Sequence, residues 1–291
     1  MQLQKLGERK ITKQITKRFS IPYDDCALFE INGEYLLITT DMVYKKTHFP
    51  KEATFYQMGW YSIAINISDI ASKGGEPIAY IVAFGLPRKM EIKNLEEILD
   101  GMEDCIDEYG GKLIGGDTKE ANEITIVVTA LGKVEKENFI PRKGARINDY
   151  IYVTGTLGKG GASLLDKNME KLLLIKPRLK EGRKLARIGI NCCMDLSDGL
   201  ASSLYQLMDI NQVGFKIYAN KLPIDKDAKK YKNWLNLALY YGGDYELLFT
   251  TPKEIKGIKK IGKVIERKEV IIVKNGKEIK MENKGYEHFI S

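Results

Sequence analysis

The chain is poor in the residues that build the commonest metal and redox sites. Its 291 residues include two histidines, His48 and His288, which argues against a histidine-rich metal centre. The four cysteines, Cys26, Cys105, Cys192 and Cys193, contain no Cys-x-x-Cys pair, so zinc and a disulfide framework are both disfavoured. Adjacent Cys192-Cys193 reads as small buried residues at a strand start. No apolar run approaches the roughly 20 residues needed to span a bilayer. The start, Met1-Gln2-Leu3-Gln4-Lys5, has no apolar signal region, so the expected location is the cytoplasm. A phosphate-binding P-loop, Gly-x-x-x-x-Gly-Lys-Ser/Thr, is also missing. The nearest match runs from Gly155 to Gly160, and Gly161 stands where the lysine belongs. The protein-kinase pattern is absent too, so any bound nucleotide is held by another device.

What is present reads as soluble and globular, with 44% hydrophobic and 29% charged residues. The length favours two domains over one core. The net charge of +7 admits a nucleic-acid partner. The lysines, however, are spread along the chain and often stand near glutamates, as in Lys93 and Glu97. Solvated helix faces are therefore the better reading, and a mild positive balance suits polyanionic small molecules. A nucleic-acid-binding protein would show salt-sensitive binding and indifference to its aspartates.

The expected elements alternate. Residues 1–20 have weak helical periodicity, and Pro22 ends any helix there. Asn32-Gly33 between apolar runs signals a hairpin, with strands at about 26–31 and 34–40. Ile63, Ile67 and Ile70 recur at helical spacing within 53–72, ahead of the stop signal Lys73-Gly74-Gly75-Glu76-Pro77. A strand at 78–86, a helix at 91–109, a short strand at 112–114, a Gly-Gly-Asp-Thr turn and a strand at 123–134 complete an α/β or α+β domain. The basic, turn-rich junction Pro141-Arg142-Lys143-Gly144 marks the expected boundary, giving domains 1–140 and 141–291. Beyond it we expect strands at 149–153, 192–196, 214–218, 247–250, 258–266, 269–273 and 277–281. Helices are expected at 159–167, 180–190 and 198–208, with a helical segment at 226–241.

Carboxylates recur at the ends of apolar segments. Asp24-Asp25, Thr39-Thr40-Asp41, Asp69, Gly115-Gly116-Asp117-Thr118 and Asp195-Leu196-Ser197-Asp198-Gly199 share this pattern. Dispersed aspartates with almost no histidine suit magnesium, which takes oxygen ligands and is usually held by a few carboxylates plus substrate phosphates. Phosphoryl transfer then needs mainly positioning and charge neutralisation. This reading requires the clusters to converge around magnesium ions and a nucleoside triphosphate. Each has a plainer alternative: turns at Asp24-Asp25, at Thr39-Thr40-Asp41 and at the paired glycines, an exposed helix stripe at Asp69, and a helix N-cap by Ser197 or Asp198. His48 reads alternatively as a packed loop histidine, Arg142 as a surface charge, and Tyr286 as packing.

Taken in order, these stretches resemble thiamine-monophosphate kinase. The matches are Asp24-Asp25-Cys26-Ala27, Thr39-Thr40-Asp41 with His48-Phe49, Asn66-Ile67-Ser68-Asp69-Ile70-Ala71, Leu113-Ile114-Gly115-Gly116-Asp117-Thr118, Arg142-Lys143-Gly144-Ala145, Tyr152-Val153-Thr154-Gly155-Thr156-Leu157-Gly158, Met194-Asp195-Leu196-Ser197-Asp198-Gly199-Leu200, Gly243-Asp244-Tyr245-Glu246-Leu247-Leu248-Phe249-Thr250 and Lys284-Gly285-Tyr286-Glu287-His288-Phe289. They cover nearly the whole chain. The resemblance implies the two-domain fold shared with aminoimidazole-ribonucleotide synthetase and selenophosphate synthetase, with an N-terminal sheet forming a homodimer interface and a C-terminal α/β domain. It implies transfer of the γ-phosphoryl of ATP to thiamine monophosphate, with several magnesium ions. The implied magnesium ligands are Asp25, Thr39, Thr40, Asp41, Asp69, Asp117, Asp195 and Asp198. Gly116, Asp117, Arg142 and Ser197 would contact ATP, and His48 and Tyr286 the thiamine monophosphate. A sister ATP-dependent synthetase acting on another small phosphorylated metabolite is the alternative. Two positions depart from the family pattern. Gly243 stands where a substrate-contacting Glu is common, and Tyr23 stands where Gly usually precedes the two aspartates.

Overall fold

The computed structural model describes residues 3–289. In chain order the helices are α1 (Glu8–Phe19), α2 (Lys45–His48), α3 (Phe55–Ser72), α4 (Ile92–Tyr109), α5 (Lys159–Leu165), α6 (Met169–Leu173), α7 (Leu179–Ile188), α8 (Leu200–Asn211) and α9 (Trp234–Tyr240). The strands are β1 (Ala27–Ile31), β2 (Glu34–Tyr44), β3 (Glu76–Leu86), β4 (Leu113–Glu120), β5 (Thr125–Glu135), β6 (Tyr150–Val153), β7 (Cys192–Asp195), β8 (Gly214–Tyr218), β9 (Leu247–Thr251), β10 (Lys259–Ile265), β11 (Val270–Lys274) and β12 (Lys277–Lys280). No helix of the described residues is long and apolar enough to cross a membrane.

The chain divides into two compact units, and the division is not a single cut. One unit comprises 25–140 and 162–189; the other comprises 1–24, 141–161 and 190–291. One break falls at 140/141, where the sequence leads us to expect a boundary between 1–140 and 141–291. The flanking exchanges do not, because α1 joins the C-terminal unit while α6 and α7 join the N-terminal one.

The N-terminal unit carries a five-stranded sheet of order β1-β2-β5-β3-β4. Asn32 and Gly33, both at positive φ, close the β1–β2 hairpin, in which Ile31 faces Glu34. All pairs are antiparallel except β3–β4, which is parallel. That parallel pair corrects the expected turn at Gly115-Gly116-Asp117-Thr118: these residues continue β4, with Asp117 opposite Ala83. Helix α3 supplies the core. Most of its positions are buried, including Ile63, Ile67 and Ile70 at 0% exposure. Thr54 opens it with a capping box: its hydroxyl accepts from the Gln57 N–H, and the Gln57 side chain accepts from the Thr54 N–H. It crosses α4 at close range through two glycines. A Cβ on Gly59 would sit 1.9 Å from the Ile98 carbonyl oxygen, and one on Gly101 2.0 Å from that of Tyr56.

The C-terminal unit carries a seven-stranded sheet of order β12-β11-β8-β10-β6-β9-β7. Strands β8 and β11 are parallel and the remaining pairs antiparallel. Cys192 and Cys193 are fully buried at the start of β7, as their apolar context predicts. None of the four cysteines is in a disulfide.

Candidate functional site

Within the N-terminal unit, β2 and the end of α3 bring three of the expected ligands together. Strand alternation places Thr39 and Asp41 on one face of the sheet and Thr40 on the other. Thr39 is buried, and its hydroxyl donates to Asp69 Oδ2 at 2.6 Å. The Thr40 hydroxyl instead donates to the Val128 carbonyl at 3.1 Å and lies 3.1 Å from Thr129 Oγ1, so its side chain serves the β2–β5 pairing. Asp69 therefore does not lie on an exposed stripe of α3. Its carboxylate comes within 4.8 Å of that of Asp25, which follows the 24/25 crossing and lies just ahead of β1.

Asp25 is held from α3 as well. Its Oδ2 accepts from Ser72 Oγ at 2.8 Å and pairs with Lys73 Nζ at 2.8 Å, both charged side chains being fully buried. Sequence reasoning missed Lys73 and Ser72. Lys73 looked like part of a helix stop, and nothing local announces its burial. Asp25 and Asp69 offer carboxylate oxygens, and two carboxylates at this spacing fit a hard divalent cation such as magnesium.

Gly116 and Asp117 lie on the exposed strand β4. A Cβ on Gly116 would fall 1.8 Å from the Val82 carbonyl oxygen, so β3 approaches too closely for any side chain. Asp117 Oδ1 accepts from the Thr118 N–H at 2.8 Å and has the Lys119 ammonium 3.4 Å away. His48 ends α2, and its Nδ1 accepts from the Tyr44 N–H at 3.1 Å. The Thr47 hydroxyl lies 2.9 Å from the same nitrogen.

In the C-terminal unit, the β7–α8 turn carries Asp195, Ser197 and Asp198. Asp195 is buried at the end of β7, opposite Leu247. The expected side-chain cap is absent: Gly199, at φ 102°, is the N-cap residue of α8 and no side chain caps it. Ser197 and Asp198 are thus left out of helix capping. The turn is fixed by main-chain bonds, with the Gly243 N–H donating to the Ser197 carbonyl at 2.8 Å and the Tyr286 N–H to the Asp198 carbonyl at 3.0 Å. Burial pushes the Asp198 carboxyl up to about 6, with Glu8 and Glu287 adding to the rise and Arg9 and Arg142 opposing it.

Arg142 has its main-chain N–H bonded to Asp24 Oδ2 at 3.0 Å, and its guanidinium lies 5.3 Å from the Tyr23 ring centre. The Tyr23 hydroxyl donates to Gln206 Oε1 at 3.1 Å. Tyr23, which departs from the family pattern, is therefore the ring against which Arg142 is placed. Tyr286, 45% exposed, meets His288 edge-on at 5.0 Å. Helix α1 holds this C-terminal segment. Arg9 Nη2 donates to the Tyr286 carbonyl at 2.8 Å, the Arg9 N–H to Glu287 Oε1 at 3.1 Å, and the His288 N–H to Glu8 Oε2 at 3.0 Å. Glu8 and Arg9 escaped sequence reasoning, since a polar N-terminal helix looks like a solvated one.

Asp244 is another buried acid of this unit. Its two oxygens accept from the Gly158 N–H at 2.8 Å and the Gly160 N–H at 2.9 Å, which fixes the glycine-rich turn that resembles a P-loop without its lysine. Burial lifts its carboxyl to about 7 against the pull of those two donors.

Residues 23–134 match the AIR synthase related protein, N-terminal domain, and residues 146–275 the AIR synthase related protein, C-terminal domain. A thiamine-monophosphate kinase of Methanospirillum hungatei is 37% identical over 272 residues, covering 91% of this chain and 92% of that protein. The thiamine-monophosphate kinase of Aquifex aeolicus is 33% identical, covering 99% of this chain and all of that one. A solved structure of AaThiL complexed with AMPPCP and TMP superposes with a TM-score of 0.92 at 31% identity, covering 99% of each chain. With both domain models matched in order and full-length relatives above 30% identity, this chain belongs to the thiamine-monophosphate kinase family, within the AIR synthase related proteins.

Proposed function

We propose that this chain transfers the γ-phosphoryl group of ATP directly to thiamine monophosphate, giving thiamine diphosphate. The observation that carries the reading is full-length similarity, at a TM-score of 0.92, to a protein solved with AMPPCP and TMP. AMPPCP is an ATP analogue, and in a thiamine-monophosphate kinase we take TMP as the acceptor substrate. We assign Asp25, Thr39, Thr40, Asp41, Asp69 and Asp117 of the N-terminal unit and Asp195 and Asp198 of the C-terminal unit as magnesium ligands. Gly116, Asp117, Arg142 and Ser197 are assigned to ATP, and His48 and Tyr286 to the thiamine substrate.

Bound magnesium would supply charge neutralisation and Lewis acidity across the phosphates. The chain's own residues do the positioning. Thr39 orients Asp69 through its hydroxyl. Gly116 lies on the exposed strand β4, where its main chain is what we assign to the phosphates. Arg142, placed over Tyr23, offers a planar fork of donors suited to phosphate oxygens. The Tyr286 ring offers a flat face to the cationic thiazolium. The contact of His48 Nδ1 with the Tyr44 N–H holds the imidazole in place at the end of α2.

A homodimer through the N-terminal sheet belongs to the same proposal. Every residue of β1 is exposed, with Leu28, Phe29 and Ile31 each more than 40% accessible, and Leu113 and Ile114 are likewise exposed at the far edge on β4. Such an apolar surface is characteristic of a face that another chain covers. A selenophosphate synthetase would need a reactive cysteine, whereas Cys26 is 4% exposed.

The test is a coupled assay with magnesium-ATP in which thiamine monophosphate, thiamine, an aminoimidazole precursor and selenide are offered separately. Thiamine diphosphate is expected from the monophosphate alone. ATP turnover with another acceptor would move the chain to a sister activity, and no turnover with any of them would refute the enzymatic reading.

A further inference from the structure

Lys73 is a cation built into the acidic cluster. Its main chain is tied on both sides: the N–H donates to the Ile70 carbonyl at 3.1 Å, and the carbonyl accepts from Ile140 at 3.2 Å. The residue therefore cannot swing outward with a loop. Its side chain is fully buried, and so is that of Asp25, to which it is bound at 2.8 Å. Ser72 Oγ brings a second donor to the same carboxylate oxygen. Asp69, the neighbouring carboxylate, accepts from the Thr39 hydroxyl. Lys73 thus places a fixed positive charge beside these neighbouring acids, bound to Asp25.

A buried ammonium–carboxylate pair is poor value as a stabilising device, because desolvating both ions offsets most of their attraction. An apolar pair of similar volume would serve packing as well. The pair makes sense where the carboxylate must be oriented for another purpose. Resting on the reading of Asp25 and Asp69 as metal ligands, we propose that Lys73 is the resident counter-ion of this metal site. Its ammonium holds the Asp25 carboxylate in place, and it lowers the negative charge that would otherwise draw magnesium in alone. Magnesium then binds here tightly only when a triphosphate contributes its own negative charge. Lys73 is a positioning residue with respect to the metal and sets the order in which metal and nucleotide load.

The experiment measures magnesium binding, independently of turnover. Wild type, K73Q, K73M and K73R are titrated with magnesium by calorimetry, and the magnesium-induced rise in Tm is followed in parallel. Each titration is made with and without AMPPCP. Without nucleotide, K73Q and K73M are expected to bind magnesium at least tenfold more tightly than wild type and to show the larger rise in Tm. With AMPPCP the difference should shrink, and K73R should follow wild type throughout. Neutral variants that bind magnesium no more tightly than wild type without nucleotide would overturn the proposal. If neither neutral variant folds at any magnesium concentration, K73R carries the test, and a tenfold tightening in that charge-preserving variant would overturn it equally. Failure of the underlying functional reading looks different: wild type itself would bind no magnesium even with AMPPCP.

Discussion

Replacing Thr39 by Val tests whether the β2–α3 contact is part of the metal site or merely part of the core. The substitution keeps the β-branched shape and removes one oxygen. That oxygen donates to Asp69 Oδ2 at 2.6 Å from a residue 7% exposed. A hydrogen bond to a charged acceptor contributes about 1.5–3 kcal/mol net, and since Asp69 is only half-buried we take about 2 kcal/mol. For a protein of this size each kcal/mol moves Tm by roughly 2–4 °C, so T39V should melt on the order of 4–8 °C below wild type without ligands. If the hydroxyl also aims Asp69 at magnesium, the concentration of magnesium giving half-maximal rate should rise several-fold. T39S, which restores the oxygen, should recover the magnesium dependence. The assays are differential scanning fluorimetry and initial rates across a magnesium series. A T39V enzyme with wild-type Tm and wild-type magnesium dependence would refute the reasoning, and a shifted Tm alone would make Thr39 a packing residue.

Asp117 lies on an exposed strand, so Asp117→Asn should leave Tm unchanged and lower kcat by an order of magnitude or more; an unchanged rate would remove it from the metal ligands. Arg9→Ala breaks the anchor on the Tyr286 carbonyl, and KM for thiamine monophosphate should rise several-fold with a smaller change for ATP; equal changes for both substrates would count against a positioning role. Asp244 provides a pH test. Its carboxyl is lifted from an ordinary value near 3.8 to about 7, so ionisation opposes folding: the favourable contribution is complete below about 4 and is lost as pH rises through about 7. Relative to D244N, which does not titrate, wild type should lose on the order of 4 kcal/mol across that window. Urea midpoints at several pH values measure it, and a pH-independent difference would refute the assignment.

The fold was legible in the sequence wherever the signal was local. Asn32-Gly33 specified the first hairpin, the isoleucine spacing specified α3, and glycines followed by proline marked its end. Features decided by distant partners were not legible. Gly115-Gly116-Asp117-Thr118 has turn composition, yet parallel pairing with β3 makes it a strand, and the glycine is needed because Val82 comes so close. Ser197 and Asp198 have the composition of caps, yet α8 begins at a glycine and the turn is fixed by Gly243 and Tyr286. For the site, the motif residues were readable and their supports were not. Lys73, Ser72 and Arg9 act through partners that lie far away in sequence, Asp25 in the first two cases and the Tyr286 segment in the last.

The two departures from the family pattern have different physical standing. Tyr23 is compensated in place, because its ring takes up the Arg142 guanidinium and its hydroxyl is bonded to Gln206. Gly243 is not interchangeable with Glu on this backbone. It sits at φ 88°, a conformation that costs a residue with a side chain about 1–2 kcal/mol, and its N–H holds the Ser197 carbonyl at 2.8 Å. A side chain there would strain the turn that carries Ser197 and Asp198. Restoring the commoner residue should therefore harm the enzyme. G243E is expected to lower Tm by several degrees and to weaken ATP binding, without improving KM for thiamine monophosphate. A G243E enzyme with intact Tm and a lower KM for that substrate would mean that the turn accommodates Glu and that the chain lacks a contact it could have used.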